Sequence, residues 1–179
     1  TSAAECTFNV SISGSAVDRP APFAFIALSS PSICANQTLT ATAALDNCPE
    51  NDTFKWYING ALVGVTTEPI YQTTAIQDGD ILTVENTCYA LCPISVSATA
   101  DPVSVTTVFV DAGADLFIGF GDTVQLNGLV STGTFSWSPT FGMSNFEVLD
   151  PFVWPLVTTV YTLTVSDGDC AASDQVTVH

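Results

Sequence analysis

Short segments in which apolar and polar residues alternate recur along the sequence, and they constrain the fold more than any other feature. They are rich in Val, Thr and aromatic residues and lie at 8–12, 81–84, 103–110, 124–126, 160–165 and 176–178. A period of two places every second side chain on one face of a β-strand. Asn-Gly and Asp-Gly pairs at 59–60, 78–79, 127–128 and 167–168 are typical of hairpin turns. The pattern predicts an all-β fold of sandwiches or barrels.

The length of 179 residues suits two β-sandwich domains preceded by an N-terminal strand segment. Two prolines within residues 18–22 disfavour regular strand pairing and indicate a linker. A hydrophobic strand gives way to an Asp-Ala-Gly-Ala-Asp stretch at 111–115, which indicates a seam. We therefore predict an N-terminal strand and Pro-rich linker at 1–21, a first sandwich at 22–110 and a second at 111–179.

The charge balance excludes several classes of partner. The chain has 18 acidic residues against 2 basic ones, Arg19 and Lys55, and a formal net charge of −16. Binding to nucleic acid or to an anionic membrane requires many Lys and Arg side chains. The positive mean hydropathy of +0.39 argues against disorder, and no apolar run is long enough to span a membrane. We expect neither nucleic-acid partners nor membrane insertion.

Six cysteines form an even set without the spacing of a zinc site. Disulfides are therefore expected, with buried free thiols as the alternative, and disulfides place the protein outside the cell or on its surface. The first residue is Thr1 rather than Met, so we expect either that a signal peptide has been removed or that the chain is a fragment.

No catalytic constellation is expected. The lone histidine, His179, is the last residue, and the acids cluster in turns, where a carboxylate pair that hydrolyses glycosides is a remote alternative. Calcium is the more reasonable ligand because it takes loop oxygens, and its candidates are Asp111, Asp115 and Asp122. An acidic loop at 46–52 is a second candidate, and solvated turn residues are the alternative in both places. No other cofactor is expected.

Aromatic residues are concentrated at 141–146 and 152–155. Exposed rings there could bind sugars, but packing of the stretch into the core is the favoured interpretation.

Residues 33–110 resemble the Ig-like repeats of large surface proteins secreted by Bacteroidota. The resemblance rests on Ile-Cys-Ala-Asn-Gln at 33–37, Phe-Lys-Trp-Tyr-Ile-Asn-Gly at 54–60, Tyr-Gln-Thr-Thr at 71–74 and Gln-Asp-Gly-Asp at 77–80. It implies that Trp56 anchors the core and faces a disulfide. It also implies that Cys34 pairs with Cys92 or Cys88, and that Cys48 pairs with whichever remains.

Residues 110–179 resemble the PKD-like repeats often found beside such domains. The matching motifs lie at 110–115, 121–126, 135–139, 150–151, 158–165 and 174–178. The motif at 135–139 contains Trp137, the expected core anchor. Related repeats often place a cysteine before the Gly-Asp turn, where this sequence has Gly119-Phe120. The departure leaves Cys170 without a local partner and implies a link to Cys6, within one chain or between chains, with free thiols as the alternative.

Together these features predict a non-catalytic extracellular structural protein of a bacterial surface, a self-assembling subunit of a filament, sheath or array. Its expected partners are other copies of itself, and the strand at 8–13 could add to a neighbour's sheet. The alternative is a glycan- or protein-binding module of a larger surface adhesin.

Overall fold

The computed structural model describes residues 20–89 and 93–179, and the predicted strand at 8–13 lies outside them. All regular structure in the described residues is β, and they contain no helix. The predicted all-β fold class is confirmed. In the same part of the chain, nothing helical has the length and apolar character that crossing a membrane would require.

The structure divides into two compact units. Within the described residues, unit 1 comprises 20–31 and 38–104, and unit 2 comprises 32–37 and 105–179. The segment 32–37 belongs to unit 2, although the residues before and after it in the sequence belong to unit 1. Neither unit is therefore one continuous stretch of sequence.

Unit 1 is built from two antiparallel sheets. Its strands are β1 (Phe23–Leu28), β3 (Leu39–Asp46), β4 (Phe54–Ile58), β5 (Ala61–Thr66), β6 (Ile70–Thr73), β7 (Leu82–Tyr89) and β8 (Pro93–Thr99). The sheet orders are β1-β3-β6 and β5-β4-β7-β8. Assigning the strands in chain order to positions A, B, C, C′, E, F and G gives sheets A-B-E and C′-C-F-G. This is the architecture of an Ig-type sandwich.

Trp56 on β4 occupies the centre of the unit 1 core and is fully buried. Its indole Nε1 donates a hydrogen bond to Thr66 Oγ1 at 2.9 Å, so its one polar atom is satisfied. Its ring stacks on Tyr71 of the facing sheet, with ring centroids 5.7 Å apart. Gly64 lies beneath that tyrosine, where an added Cβ would approach the ring to 2.8 Å. The two sheets therefore meet through a stacked aromatic pair.

Unit 2 combines short strands with two longer ones of nine residues each. They are β2 (Ser32–Cys34), β9 (Ser104–Thr106), β10 (Val110–Asp111), β11 (Val124–Gln125), β12 (Leu129–Val130), β13 (Thr134–Ser138), β14 (Phe152–Val153), β15 (Thr159–Asp167) and β16 (Cys170–Val178). β9 begins at Ser104, the last residue of unit 1. The strands pair as β13-β15-β16, β10-β12, β11-β14 and β2-β9. Buried and more exposed side chains alternate along the long β15, so that one of its faces lies in the core. This alternation is the period-two pattern by which the sequence predicts a strand at 160–165.

The unit 2 core forms around Trp137, which is 1% exposed, and Tyr161, which is fully buried. Leu126, Leu163 and Val153 pack in the same cluster. Trp137 Nε1 and Tyr161 Oη have no hydrogen-bond partner among the described residues, and burial raises the pKa of Tyr161. This core is therefore held by apolar packing rather than by polar contacts.

Candidate interaction surfaces

The disulfide pairing differs from the expected one. Cys34 is bonded to Cys170, with Cα atoms 5.5 Å apart, so the expected partners of both residues were wrong. Cys34 ends β2, which pairs with β9 and lies in the segment that belongs to unit 2. The local resemblance to an Ig-like repeat placed Cys34 in the first sandwich, whereas strand pairing carries it into the second.

The second described disulfide joins Cys48 to Cys88, one of the two options left open for Cys48, with Cα atoms 5.3 Å apart. Cys48 follows β3, and Cys88 lies on β7, so the bond joins the two sheets of unit 1. Cys6 and Cys92 lie outside the described residues. The two disulfides favour an oxidising compartment outside the cytoplasm.

The outer face of the β1-β3-β6 sheet is largely apolar. We use the name sheet face for its apolar residues, which are Phe23, Phe25, Ala27, Ala44 and Ile70. Phe23 and Phe25 are 41% and 53% exposed, and their rings pack edge to face with centroids 4.8 Å apart. Phe25 lies opposite Ala44 in the register of β1 and β3. Because alanine is too short to cover the ring, Phe25 stays open to solvent.

Few polar groups interrupt the sheet face. Thr42 lies between Ala27 and Ile70 in the paired registers. Gln72 donates to Thr40 Oγ1 at 3.1 Å, which satisfies both side chains locally. Among the outward-facing residues of these three strands, Asp46 at the end of β3 is the one ionisable side chain. The sequence interpretation missed this surface, although the run Phe-Ala-Phe-Ile-Ala at 23–27, apolar on both faces of a strand, was its signal.

The aromatic stretch at 141–155 does not pack inward as a whole. Val153 is fully buried, but Phe152 and Trp154 on either side of it are 50% and 43% exposed. Val153 uses the inward face of β14, so alternation turns both neighbours outward. Gln125 lies opposite Phe152 on that outer face, and its Nε2 donates to Asp150 Oδ2 at 3.1 Å. The favoured interpretation of this stretch as core was therefore wrong for these rings.

The three calcium candidates do not lie together. Each carboxylate accepts a backbone N–H hydrogen bond of its own: Asp111 Oδ1 from Gly113, Asp115 Oδ1 from Thr177 and Asp122 Oδ2 from Gly119. Across the described residues, no group of three or more His, Cys, Asp or Glu side chains is arranged to hold a metal ion. These aspartates fasten turns and strand ends, and calcium binding stays a prediction.

The acidic loop at 46–52 is fastened to β7. Asp52 N donates to Thr87 O at 3.1 Å, and Tyr89 N donates to Glu50 O at 2.8 Å. The charge of Asp52 raises the pKa of Tyr89, with which it also makes a hydrogen bond of 3.3 Å. A hydrogen bond to Glu85 likewise raises the pKa of Tyr57. The carboxylates of Asp52 and Glu85 therefore raise the pKa of neighbouring tyrosines within unit 1.

The single histidine lies at the surface of unit 2. The His179 ring stacks on Phe117 with centroids 4.6 Å apart, and its Nε2 lies 4.0 Å from Asp115 Oδ2. Both side chains are substantially exposed, at 40% and 55%, so solvent screens their interaction. The arrangement is a surface contact.

Comparison with known proteins gives fold-level similarity only. No protein-family model matches the chain, and no curated protein matches it. Among solved structures, it is similar to the three N-terminal domains of the bacteriophage RB49 highly immunogenic outer capsid protein, at 15% identity and a TM-score of 0.44, over 88% of this chain and 59% of that one.

It is also similar to the N-terminal eight Ig domains of the Down syndrome cell adhesion molecule, at 12% identity and a TM-score of 0.47, over 88% of this chain and 23% of that one. Immunoglobulin domains 1–4 of Sidekick-1 match at 12% identity and a TM-score of 0.40, over 88% of this chain and 48% of theirs. The chain thus spans less than two thirds of each of these structures. The last two are tandem Ig domains.

Proposed function

We propose that this chain is a non-catalytic extracellular structural protein of a bacterial surface, whose copies assemble into a filament, sheath or array. The observation that carries the proposal is the sheet face, where Phe23 and Phe25 stay exposed on an ordered strand. Contiguous apolar surface of this kind marks a site of association in a soluble protein. The two disulfides suit a protein that persists in an oxidising environment after removal of a signal peptide.

The resemblance of the two halves to Ig-like and PKD-like repeats of Bacteroidota surface proteins is part of this proposal. It supports a role as a spacer or structural unit. The scarcity of basic residues, 2 in 179, supports the same role because it leaves few sites for basic-specific proteases.

Assembly of this chain requires charge screening. Copies that each carry −16 repel one another at low ionic strength, and salt shortens the range of that repulsion. We expect association and thermal stability to rise with ionic strength or with calcium.

Electron microscopy and size-exclusion chromatography test the proposal. Reduced and unreduced protein are compared over a series of salt and calcium concentrations, and assemblies are expected in the unreduced sample at high salt. A monomer under every condition would refute the proposal.

The second candidate function is a glycan- or protein-binding module of a larger adhesin. The observation in its favour is the outward pair Phe152 and Trp154, beside the polar side chains of Gln125 and Asp150. Flat aromatic faces next to hydrogen-bonding groups suit a sugar ring. An array of neutral glycans tests it: binding is expected to be lost in Trp154→Ala and kept in Leu129→Ala, a control at another exposed apolar residue of unit 2. An array without hits removes the glycan version.

A further inference from the structure

The disulfide between Cys34 and Cys170 shortens the covalent path through the chain. It joins residues that are 136 positions apart, so a path along covalent bonds from one end of the chain to the other can cross there and bypass residues 35–169. As long as the bond is intact, those residues cannot be drawn out between the two ends, however strong the pull. Only the residues on either side of the bond can be extended.

The bypassed residues include both cores. Trp56 at the centre of unit 1, and Trp137 and Tyr161 at the centre of unit 2, all lie between the two bonded cysteines in the sequence. The bond between Cys48 and Cys88 spans 40 positions within the same stretch, so its loop is nested inside the larger one. The cores of both units are therefore off the covalent path that carries tension.

Both residues of the longer-range disulfide lie in ordered backbone. Cys34 ends β2, where its N donates to Gln37 Oε1 at 3.0 Å and its O accepts from Gln37 N at 3.0 Å. The next residue, Ala35, donates from its N to Thr106 O at 2.9 Å. Cys170 begins β16 and is 7% exposed. Load therefore enters the bond through backbone that hydrogen bonds hold in place.

The path from Cys170 to the end of the chain is a strand that is hydrogen-bonded on both sides. β16 pairs with β15 along all nine of its residues. On its other edge, Leu116 N donates to Thr177 O at 2.8 Å, and Leu116 O accepts from His179 N at 2.8 Å. Ile118 N donates to His179 O at 2.9 Å. This arm is thus anchored within unit 2.

The path that leads to Cys34 from the other end contains β1. This strand pairs with β3 from Phe23 to Leu28 and lies at the edge of the β1-β3-β6 sheet. Ser29 N donates to Thr40 O at 2.8 Å, which continues the pairing beyond the strand. Both arms of the path are therefore ordered strands that lead into the same bond.

We infer that tension along this chain is carried by β1, the Cys34–Cys170 bond and β16, and that the bond limits how far the protein can be stretched. The use of such a limit rests on the proposed structural function, because a spacer or an assembled subunit is pulled at its ends. The limit lets the protein transmit force while the residues of both cores cannot be pulled out into extended chain.

Single-molecule force spectroscopy of the full chain, attached at its two ends, tests the limit by measuring the end-to-end length at full extension. All chains carry Cys6→Ser and Cys92→Ser, so that the two described disulfides are the only ones, and mass spectrometry confirms that both have formed. Length at full extension does not depend on stability. A variant that folds poorly therefore still gives a decisive length.

Cys34→Ser with Cys170→Ser should lengthen the fully extended chain by about 340 Å. The 136 positions spanned by the lost bond, less the 40 that the second bond keeps closed, leave 96 positions, and each contributes about 3.5 Å when extended. The matched control, Cys48→Ser with Cys88→Ser, should leave the length unchanged because its loop lies off the path. A reductant added during the pull opens both bonds and should lengthen the chain by about 480 Å.

Two outcomes overturn the inference. A chain that gains no length when the Cys34–Cys170 bond is removed is limited by something else, and a control that also lengthens places the loop from Cys48 to Cys88 on the path. Neither outcome affects the proposed assembly, because the length is measured on single molecules. Conversely, a chain that stays monomeric under every salt and calcium condition removes the proposed function and leaves the length limit in place.

Discussion

The two units reach a stable core by different routes. In unit 1, β3 and β7 are each eight residues long, and their side chains alternate between core and solvent. In unit 2, β10, β11, β12 and β14 are each two residues long. Carboxylates supply some of the missing strand pairing there: Asp174 Oδ2 accepts from Ala112 N at 2.8 Å. Unit 1 is therefore built from strands of four to eight residues, whereas unit 2 combines one long hairpin, β15 and β16, with two-residue strands that side-chain hydrogen bonds supplement.

The largest expected effect on stability concerns the disulfides. The bond between Cys34 and Cys170 joins residues 136 positions apart, whereas that between Cys48 and Cys88 spans 40. Restriction of the unfolded chain is worth about 5 kcal/mol for the longer loop and about 4 kcal/mol for the shorter one. We expect the pair Cys34→Ser and Cys170→Ser to destabilise the protein more than Cys48→Ser and Cys88→Ser.

Hydrogen exchange in urea measures this difference by region. In the variant without the Cys34–Cys170 bond, the amides of β16 should be the first to lose protection from exchange. In the variant without the Cys48–Cys88 bond, the amides of β7 should be the first. Equal losses in both strands for both variants would show that the units unfold together and would remove the contrast.

The tryptophans separate the two cores next. Trp56→Phe removes an indole that donates to Thr66 and leaves a gap beside Tyr71, and we expect a loss of about 3 kcal/mol. Trp137→Phe removes an indole N–H with no partner among the described residues, so the loss should be about 1 kcal/mol. Urea unfolding of both variants measures the difference. A loss at position 137 as large as that at position 56 would contradict this order.

Glycine substitutions probe how rigidly each core is enclosed. A Cβ on Gly128 would lie 2.7 Å from Leu163, 2.9 Å from Trp137 and 3.0 Å from the Leu149 carbonyl oxygen. Gly128→Ala should therefore cost about 2 kcal/mol by overpacking. Gly64→Ala in unit 1 meets only the Tyr71 ring, which can shift, and should cost less. The thermal unfolding midpoints of the two variants measure this difference. A lower midpoint for Gly64→Ala than for Gly128→Ala would show that the core of unit 2 is not the more tightly packed one at these positions.

The smallest expected effect is a dependence of the stability of unit 2 on acid pH. Hydrogen bonds from the backbone N–H groups of Ala112 and Gln175 lower the pKa of Asp174 below its ordinary value. A lowered pKa in the folded state gives stability that is present above the unfolded pKa, ordinarily about 3.9, and is lost as the pH falls through the folded value. Asp174→Asn should flatten the acid side of the stability profile.

Urea unfolding of unit 2 from pH 6 down to acid measures this profile, because acidification spans the titration of an ordinary Asp at about 3.9. Asp169→Asn, at the exposed turn before β16, is the matched control and should leave the profile unchanged. A profile that is equally steep in Asp174→Asn would show that other carboxylates govern acid unfolding.

Much of unit 1 could be predicted from the sequence because its signals are local. Alternation along residues 81–84 marked β7, and the Trp in the strand at 54–58 is the fully buried Trp56. In unit 2 the long β15 was equally readable, but a strand of two residues is too short to show a period. The outward turn of Phe152 and Trp154 was missed for that reason.

The candidate surfaces were less predictable than the fold. Whether an apolar side chain is covered depends on what lies opposite it: Phe25 is exposed because Ala44 faces it across β1 and β3. The exposure of Phe152 and Trp154 depends on the pairings of Val153 with Val124 and Met143, in which Val153 takes the buried side of β14. Neither arrangement is encoded in a short stretch of sequence.

The sequence alone determined that this chain is all-β, strongly acidic and rich in cysteine, because strand periodicity and composition are properties of short segments or of the whole chain. Only the tertiary structure decided that Cys34 bonds to Cys170 and that Phe23 and Phe25 stay exposed on β1. Both outcomes depend on which distant strands pair, and pairing is set by the combined burial and hydrogen bonding of the entire core.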